Sequence, residues 1–441
     1  MYSLRLPRFA SLMAAASAAA LAVFSAQAAS AQAQPDGEVT ALVGGSVVSV
    51  EDGRIIPDAV VVVEGQRIVR VGPRSEVQPP VGARIISTEG RWLAPGLMNM
   101  HVHFGLKLPG AAGAELQNET DAQQVLRMAH NAERSLRAGV TSVRLVSELH
   151  GNDFALKRAI QRGEAVGPRI ETAGELIVPT GGHGFLEVDG PYAFARAARE
   201  QIKQGASWIK IAISGGISDT HGDIAAAPMT DEELSVLIDV AHRNGVRVTA
   251  HNGSPQAAMQ ALEYGIDAFE HGYHLTEPVL RRMAKDEAWL IPTIVVSQPG
   301  ARAFYQRIGS PDWYLARVDS VGKDHWAVLQ QAIRLGVPIA LGTDQFPFED
   351  NEGTTATVRE AELYVDAGMT PLQALQAATI QPARMMRRDT DIGSITVGKY
   401  ADIVILDGDP TKDIGALRSL SFVMKGGAVV RDDHGLSGQA R

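Results

Sequence analysis

Between Leu97 and Asp344 the chain repeats one pattern: an apolar run of strand length, then a stretch whose apolar residues recur at helical spacing. The strand-like runs are Leu97–His103, Thr141–Val146, Arg169–Leu176, Trp208–Ser214, Val246–His251, Ala268–His271, Ala288–Val295 and Pro338–Asp344. Helical patterns fall between them, as at Ala122–Ala138, Pro191–Gly205, Thr230–Gly245 and Trp313–Gly336. Thr230-Asp231-Glu232-Glu233 sets a capping threonine before an acidic first turn, and Gly245 ends that helix. About eight strand–helix pairs predict an α/β fold, a (β/α)8 TIM-type barrel over residues 95–392, with a doubly wound open sheet as the alternative.

The flanks read differently. Residues 38–94 and 393–432 carry short alternating or β-branched runs separated by Gly, Pro and Asp, with no long amphipathic helix. They predict one small β-sandwich built from both chain ends. Ahead of them, Arg5 and Arg8 precede an alanine-rich apolar run and two A-x-A patterns, Ala26-Gln27-Ala28 and Ala31-Gln32-Ala33. This is the layout of a signal peptide over residues 1–33, cut after Ala28, Ala31 or Ala33. The alternative, an uncleaved anchor, suits a short alanine run less well. Export, in a style that suggests a bacterial periplasm, is therefore expected.

Composition narrows the partners. The 441 residues are 45% hydrophobic, enough for a sizeable core. A net charge of -9 argues against nucleic acid or an anionic membrane as partner. With no cysteine, disulfides and a lipid-anchored cysteine are excluded, and stability must come from core burial and any bound metal. A small-molecule substrate is expected, with no membrane contact after signal cleavage; homo-oligomerisation is left open.

In a barrel of this kind the carboxyl ends of the strands carry the site. His101 and His103 close the first predicted strand, and residues two apart point to the same face, so both imidazoles can aim at one point. His251 ends the fifth, His271 the sixth and Asp344 the eighth. Lys210, on the fourth, is flanked by apolar residues. A buried ammonium there needs an ion pair, a Schiff base, or carboxylation to a carbamate. Singly, each residue has a bland role, as a bonded core histidine, a helix cap or an ion-pair partner. Jointly, five N/O donors and a lysine at one face point to metal. Two divalent ions bring about +4, and Asp344, a Lys210 carbamate and hydroxide bring about -3, leaving about +1 to suit an anionic transition state. Zinc fits imidazole and carboxylate donors, with manganese, iron and cobalt compatible.

Several of these segments resemble the amidohydrolase superfamily. Ala94-Pro95-Gly96-Leu97…His101-Val102-His103 resembles its opening motif, with Asn99 where the pattern carries an acid. Glu270-His271-Gly272, Gly342-Thr343-Asp344 and Gly393-Ser394-Ile395…Gly398-Lys399-Tyr400-Ala401-Asp402 resemble its later motifs. Gly167-Pro168-Arg169-Ile170 followed by Pro179-Thr180-Gly181-Gly182-His183-Gly184 resembles the branch holding imidazolonepropionase-like proteins and Xaa-Pro and Xaa-Arg dipeptidases. The resemblance implies that His101, His103 and Asp344 hold one metal, that His251 and His271 hold the other, and that a carboxylated Lys210 bridges them.

The activity expected is cleavage of an amide bond of a dipeptide or N-acyl amino acid by metal-activated hydroxide. The alternatives are a cyclic amide or lactone hydrolase, imidazolonepropionase-like, and a non-catalytic scaffold. Asp344 is the expected proton shuttle, and His183, in a glycine-rich loop, the expected donor to the substrate carbonyl. Arg144, which could equally be a structural ion-pair partner, Tyr273 and His274 are candidate substrate contacts, with Gln345, Phe346 and Lys107 further candidates for the pocket wall.

Overall fold

The computed structural model describes residues 39–105, 107–220, 222–344 and 356–438. The predicted signal segment, Gln345 and Phe346 lie outside them. The described residues start with five strands, β1 (Val39–Val48), β2 (Ile55–Glu64), β3 (Arg67–Pro73), β4 (Arg84–Ser87) and β5 (Trp92–Pro95).

The alternating middle follows. Three parallel strands, β6 (Leu97–Val102), β7 (Val140–Leu145) and β8 (Arg169–Thr172), form one sheet. A second parallel sheet holds β9 (Ile177–Val178), β10 (Leu186–Glu187), β11 (Trp208–Ala212), β12 (Arg247–Asn252), β13 (Ala268–His271) and β14 (Trp289–Ile291), in the order β10-β9-β11-β12-β13-β14. Backbone bonds join the two sheets. Ser207 N donates to Thr172 O at 2.9 Å, which links β8 to the start of β11. On the other side, Ile339 bridges Leu290 of β14, while Met100 N of β6 donates to Leu341 O at 2.8 Å.

The segment Pro338–Asp344 therefore lies between β14 and β6, as expected, but it makes an isolated bridge rather than a regular strand. Pro338 has no N–H to give to a ladder. At the other end Asp344 turns to a left-handed φ of 53°. Gly342 is required here, since a Cβ would press on Ile291 and on the Cβ and backbone nitrogen of His101. The bare backbone brings Asp344 beside the first histidine pair.

Helices connect the strands where helical spacing predicts them, among them Asp121–Arg137, Pro191–Gln204, Asp231–Arg243 and Asp312–Leu335. Thr230 caps its helix as read: its hydroxyl accepts Glu233 N at 3.3 Å and Glu233 returns a bond to Thr230 N at 2.9 Å. No helix among the described residues is long and apolar enough to cross a membrane.

The chain closes with β15 (Ile403–Leu406), β16 (Leu420–Lys425) and β17 (Ala428–Asp432). These join the N-terminal strands in one eight-stranded sheet, ordered β17-β16-β15-β5-β1-β2-β3, with β4 also on β1. The seam is antiparallel, Ile403 opposite Pro95 and Ile405 opposite Leu93. Leu42, Val61 and Ile86 from one chain end share an apolar core with Ile403, Phe422 and Met424 from the other. Both ends build one mixed sheet, so the predicted joining of the two ends is seen, while the predicted sandwich is seen only in part.

Candidate metal centre

The carboxyl ends of β6, β11, β12 and β13 and the turn at Asp344 open on one cavity of about 270 Å³. A larger one, about 920 Å³, sits at the opposite strand ends around Arg247, Asp267 and Trp289, but its lining holds no imidazole. All six predicted ligands line the smaller cavity.

The first three converge tightly. His101 Nε2 and His103 Nε2 are 3.2 Å apart, and Asp344 Oδ1 lies 3.2 Å from one and 3.1 Å from the other. The rings of His251 and His271 follow, with centroids 4.5 Å apart, and His271 lies 4.9 Å from His101. Each ring is oriented from behind. His101 Nδ1 meets Glu270 Oε2 at 2.8 Å, and His103 Nδ1 meets Ser147 O at 3.0 Å. His271 Nδ1 meets Thr293 Oγ1 at 2.7 Å, and His251 Nε2 meets Gly215 O at 3.1 Å. For His101 and His103 the opposite nitrogen, Nε2, faces Asp344, the arrangement that fixes a ligating tautomer.

Electrostatics point the same way. Burial pushes the imidazoles of His103, His251 and His271 below their ordinary range, which keeps their lone pairs available. Burial pushes Asp344 up, but His101, His103 and His271 outweigh it and hold the carboxyl well below its usual range. Burial brings Lys210 down to about 8. Its Nζ, 2% exposed, has no hydrogen-bond partner among the described residues, and the nearest recorded carboxylate oxygen, Glu270 Oε1, is 3.9 Å away. A buried amine left unbonded beside four imidazoles and a carboxylate fits a metal centre that the lysine completes. Two of the predicted ligands carry backbone strain as well: His271 has φ 62° and Asp344 φ 53°.

Of the expected substrate contacts, His183 and Tyr273 line the cavity, as does Lys107. Tyr273 stacks on His271 with ring centroids 5.0 Å apart, and its buried hydroxyl has no hydrogen-bond partner among the described residues. Arg144 and His274 do not line it. His274 Nδ1 pairs with Asp324 Oδ2 at 3.1 Å. Arg144 is fully buried, with its guanidinium bonded to Met100 O at 2.8 Å and to Glu270 Oε1 at 2.5 Å. It is an internal ion-pair partner, the bland reading of a charged residue on an interior strand.

Glu270 is the residue that sequence reasoning passed over. It touches His101, Arg144 and the Thr249 hydroxyl, and Lys210 lies near by. Burial alone would raise its pKa, yet Arg144, Lys210 and His101 hold it low and ionised. A carboxylate beside a ligating histidine on a short strand was the available signal. Asn99 is a second such residue, accepting from His101 N and Thr343 N at 3.2 Å each and so tying β6 to the Asp344 turn.

Comparison with known proteins identifies relatives of the whole chain. A. niger ochratoxinase (Aspergillus niger) is 28% identical over 428 residues, covering 86% of this chain and 84% of that protein. Imidazolonepropionase of Symbiobacterium thermophilum is 25% identical over 407 residues, covering 84% and 89%. A crystal structure of a Xaa-Pro dipeptidase with methionine bound in its active site superposes with a TM-score of 0.81 at 27% identity, covering 89% of this chain and 100% of that one. The amidohydrolase family model matches residues 92–431, and the chain belongs to that family.

Proposed function

We propose that the protein is a binuclear metal-dependent hydrolase that cleaves the amide bond of a dipeptide or an N-acyl amino acid. The observation that carries this is the meeting of four imidazoles, Asp344 and the unbonded Lys210 amine on one cavity. His101, His103 and Asp344 would hold one divalent ion and His251 and His271 a second, with zinc the best match to the donors. Lys210 would bridge them as a carbamate, formed when its nitrogen bonds the carbon of CO2 and releases a proton. Bound there, such ions polarise a carbonyl and make water acidic enough to attack it near neutral pH.

The chain's own groups do the rest. Asp344 takes the proton of the attacking water and delivers it to the leaving nitrogen. His183, bonded through Nδ1 to Asp219 at 2.7 Å, lines the cavity. It donates to the carbonyl oxygen as negative charge develops there. Tyr273, Tyr305 and Tyr314 supply an aromatic wall for the substrate's apolar part.

The Xaa-Pro dipeptidase supports the dipeptide reading. The imidazolonepropionase relative supports a second one, hydrolysis of a cyclic amide or lactone at the same centre. A scaffold without chemistry suits a complete donor set poorly. We also read the two parallel sheets and the segment 338–344 as a closed (β/α)8 barrel, supported by the bonds at Thr172, Leu290 and Leu341, with the eight-stranded sheet as its companion sandwich. Export to a periplasm is proposed from the first residues alone.

Elemental analysis of the purified protein should find two metal equivalents per chain, and a zinc-loaded sample should hydrolyse members of a dipeptide and N-acyl-amino-acid library. Metal-free protein would favour the scaffold; turnover confined to lactones would reject the amide reading.

A further inference from the structure

The loop after β9 and the loop after β11 meet at one side chain. Asp219 Oδ1 lies 2.7 Å from His183 Nδ1, and its other oxygen accepts the Gly216 N–H at 2.7 Å. Burial pushes the Asp219 carboxyl up, but the hydrogen bond and charge of His183 outweigh it and hold it below its ordinary range. It is therefore an ionised acceptor, and Nδ1 is the donor. The imidazole also lies on Gly216, where a Cβ would fall inside the contact distance of its Cε1, Nδ1 and Nε2 atoms. Gly216 has no positive φ, so the missing side chain here makes room for the ring rather than relieving the backbone. His251 closes the ring in, 4.1 Å away between centroids. Arg317, on the helix Asp312–Leu335, donates to Gly216 O at 2.8 Å and Gly222 O at 3.1 Å and so anchors the loop from outside.

We infer that Asp219 and Gly216 are positioning residues that fix the plane of the His183 imidazole and direct its Nε2 into the cavity. This rests on the reading of the cavity as an amide-hydrolysing site. A histidine held by a loop has two free side-chain torsions, and a donor that must be ordered during the reaction loses much of its effect. Here an anion, a bare backbone surface and a neighbouring ring remove that freedom beforehand. Neither Asp219 nor Gly216 needs to touch substrate.

The test compares Asp219→Ala and Gly216→Ala, each alone and combined with His183→Asn, in the metal-loaded full chain. Each single variant should lower kcat by about 100-fold, the scale of a roughly 1 Å misplacement, with KM changed less than about threefold and metal content intact. In the His183→Asn background neither should lower kcat further, because both act through the missing ring. Losses that multiply in that background would overturn the inference, as would singles that turn over at the native rate.

A readout independent of turnover is the Nδ1–H signal of His183 in 15N-histidine-labelled protein, assigned by its loss in His183→Asn. It should be hydrogen-bonded in the native chain and lose that character in Asp219→Ala; an unchanged signal in Asp219→Ala would overturn the inference. If no amide in the library is cleaved, the proposed function fails while this signal still decides the positioning.

Discussion

Arg144 Nη2 and Glu270 Oε1 form an ion pair of 2.5 Å in which neither side chain reaches solvent. Glu270 spends its other oxygen on His101 Nδ1, so the pair ties a predicted ligand to a strand that never meets the cavity. Replacing Arg144 with Met leaves a buried carboxylate uncompensated. Unfolding in urea should show a loss of about 3–5 kcal/mol. An Arg144→Met protein of native stability with only a raised KM would instead make Arg144 a substrate ligand.

Asp344 combines proposed ligation beside His101, a strained backbone and the proposed proton transfer. Asp344→Asn keeps the shape of the side chain and removes its basicity. Turnover should fall at least about 100-fold, while circular dichroism and the melting transition stay close to native. Retention of most of the native rate would exclude the shuttle role.

Lys210→Met replaces an unbonded buried amine with an apolar chain of similar length. The fold should tolerate it, since the amine makes no hydrogen bond to lose. Elemental analysis should then find fewer metal equivalents per chain than in the native protein. Full native metal content in Lys210→Met would remove lysine from the centre.

Tyr273 keeps its stack on His271 when changed to Phe and loses only a buried hydroxyl that has no hydrogen-bond partner among the described residues. The melting temperature should hold or rise, because the penalty for an unsatisfied group disappears. KM should rise severalfold if that hydroxyl meets substrate, and an unchanged KM would leave Tyr273 as wall alone.

Glu360 supplies a pH dependence of stability. Its carboxylate accepts Ile294 N at 2.9 Å and Val295 N at 2.8 Å, in the turn after β14. Burial nevertheless pushes it up from 4.5 to about 8. Below pH 4.5 both folded and unfolded states hold the proton. As pH rises toward 8 the folded state keeps it while the unfolded state releases it, so stability falls, and above about 8 the contribution is gone. The slope approaches about 1.4 kcal/mol per pH unit for one group. Urea midpoints of the native chain should fall relative to Glu360→Gln between about pH 5 and about pH 8. Parallel curves would show that Glu360 titrates alike in both states.

The candidate ligands other than Lys210 were legible because each sits at or near the end of an apolar run, where period-two alternation and the switch to helical spacing mark both strand and boundary. His101 and His103 could be paired from two-residue spacing alone. The eighth run was placed correctly, yet its irregularity depends on Gly342 passing close to His101. Arg144 was ambiguous for a related reason. Alternation says which residues share a face of a strand, but not whether the last of them faces the cavity or a neighbouring strand.

The sequence by itself determined the alternating architecture, the all-β flanks and the set of candidate donors that line one cavity, since these follow from local periodicity and residue chemistry. Tertiary structure decided which groups stand behind those donors. Glu270 reaches Arg144 across 126 positions, and Asp219 reaches His183 across 36. Such pairings arise when separate strands and loops are packed side by side, and their distances depend on the tilt and register of neighbouring elements, which no local pattern encodes.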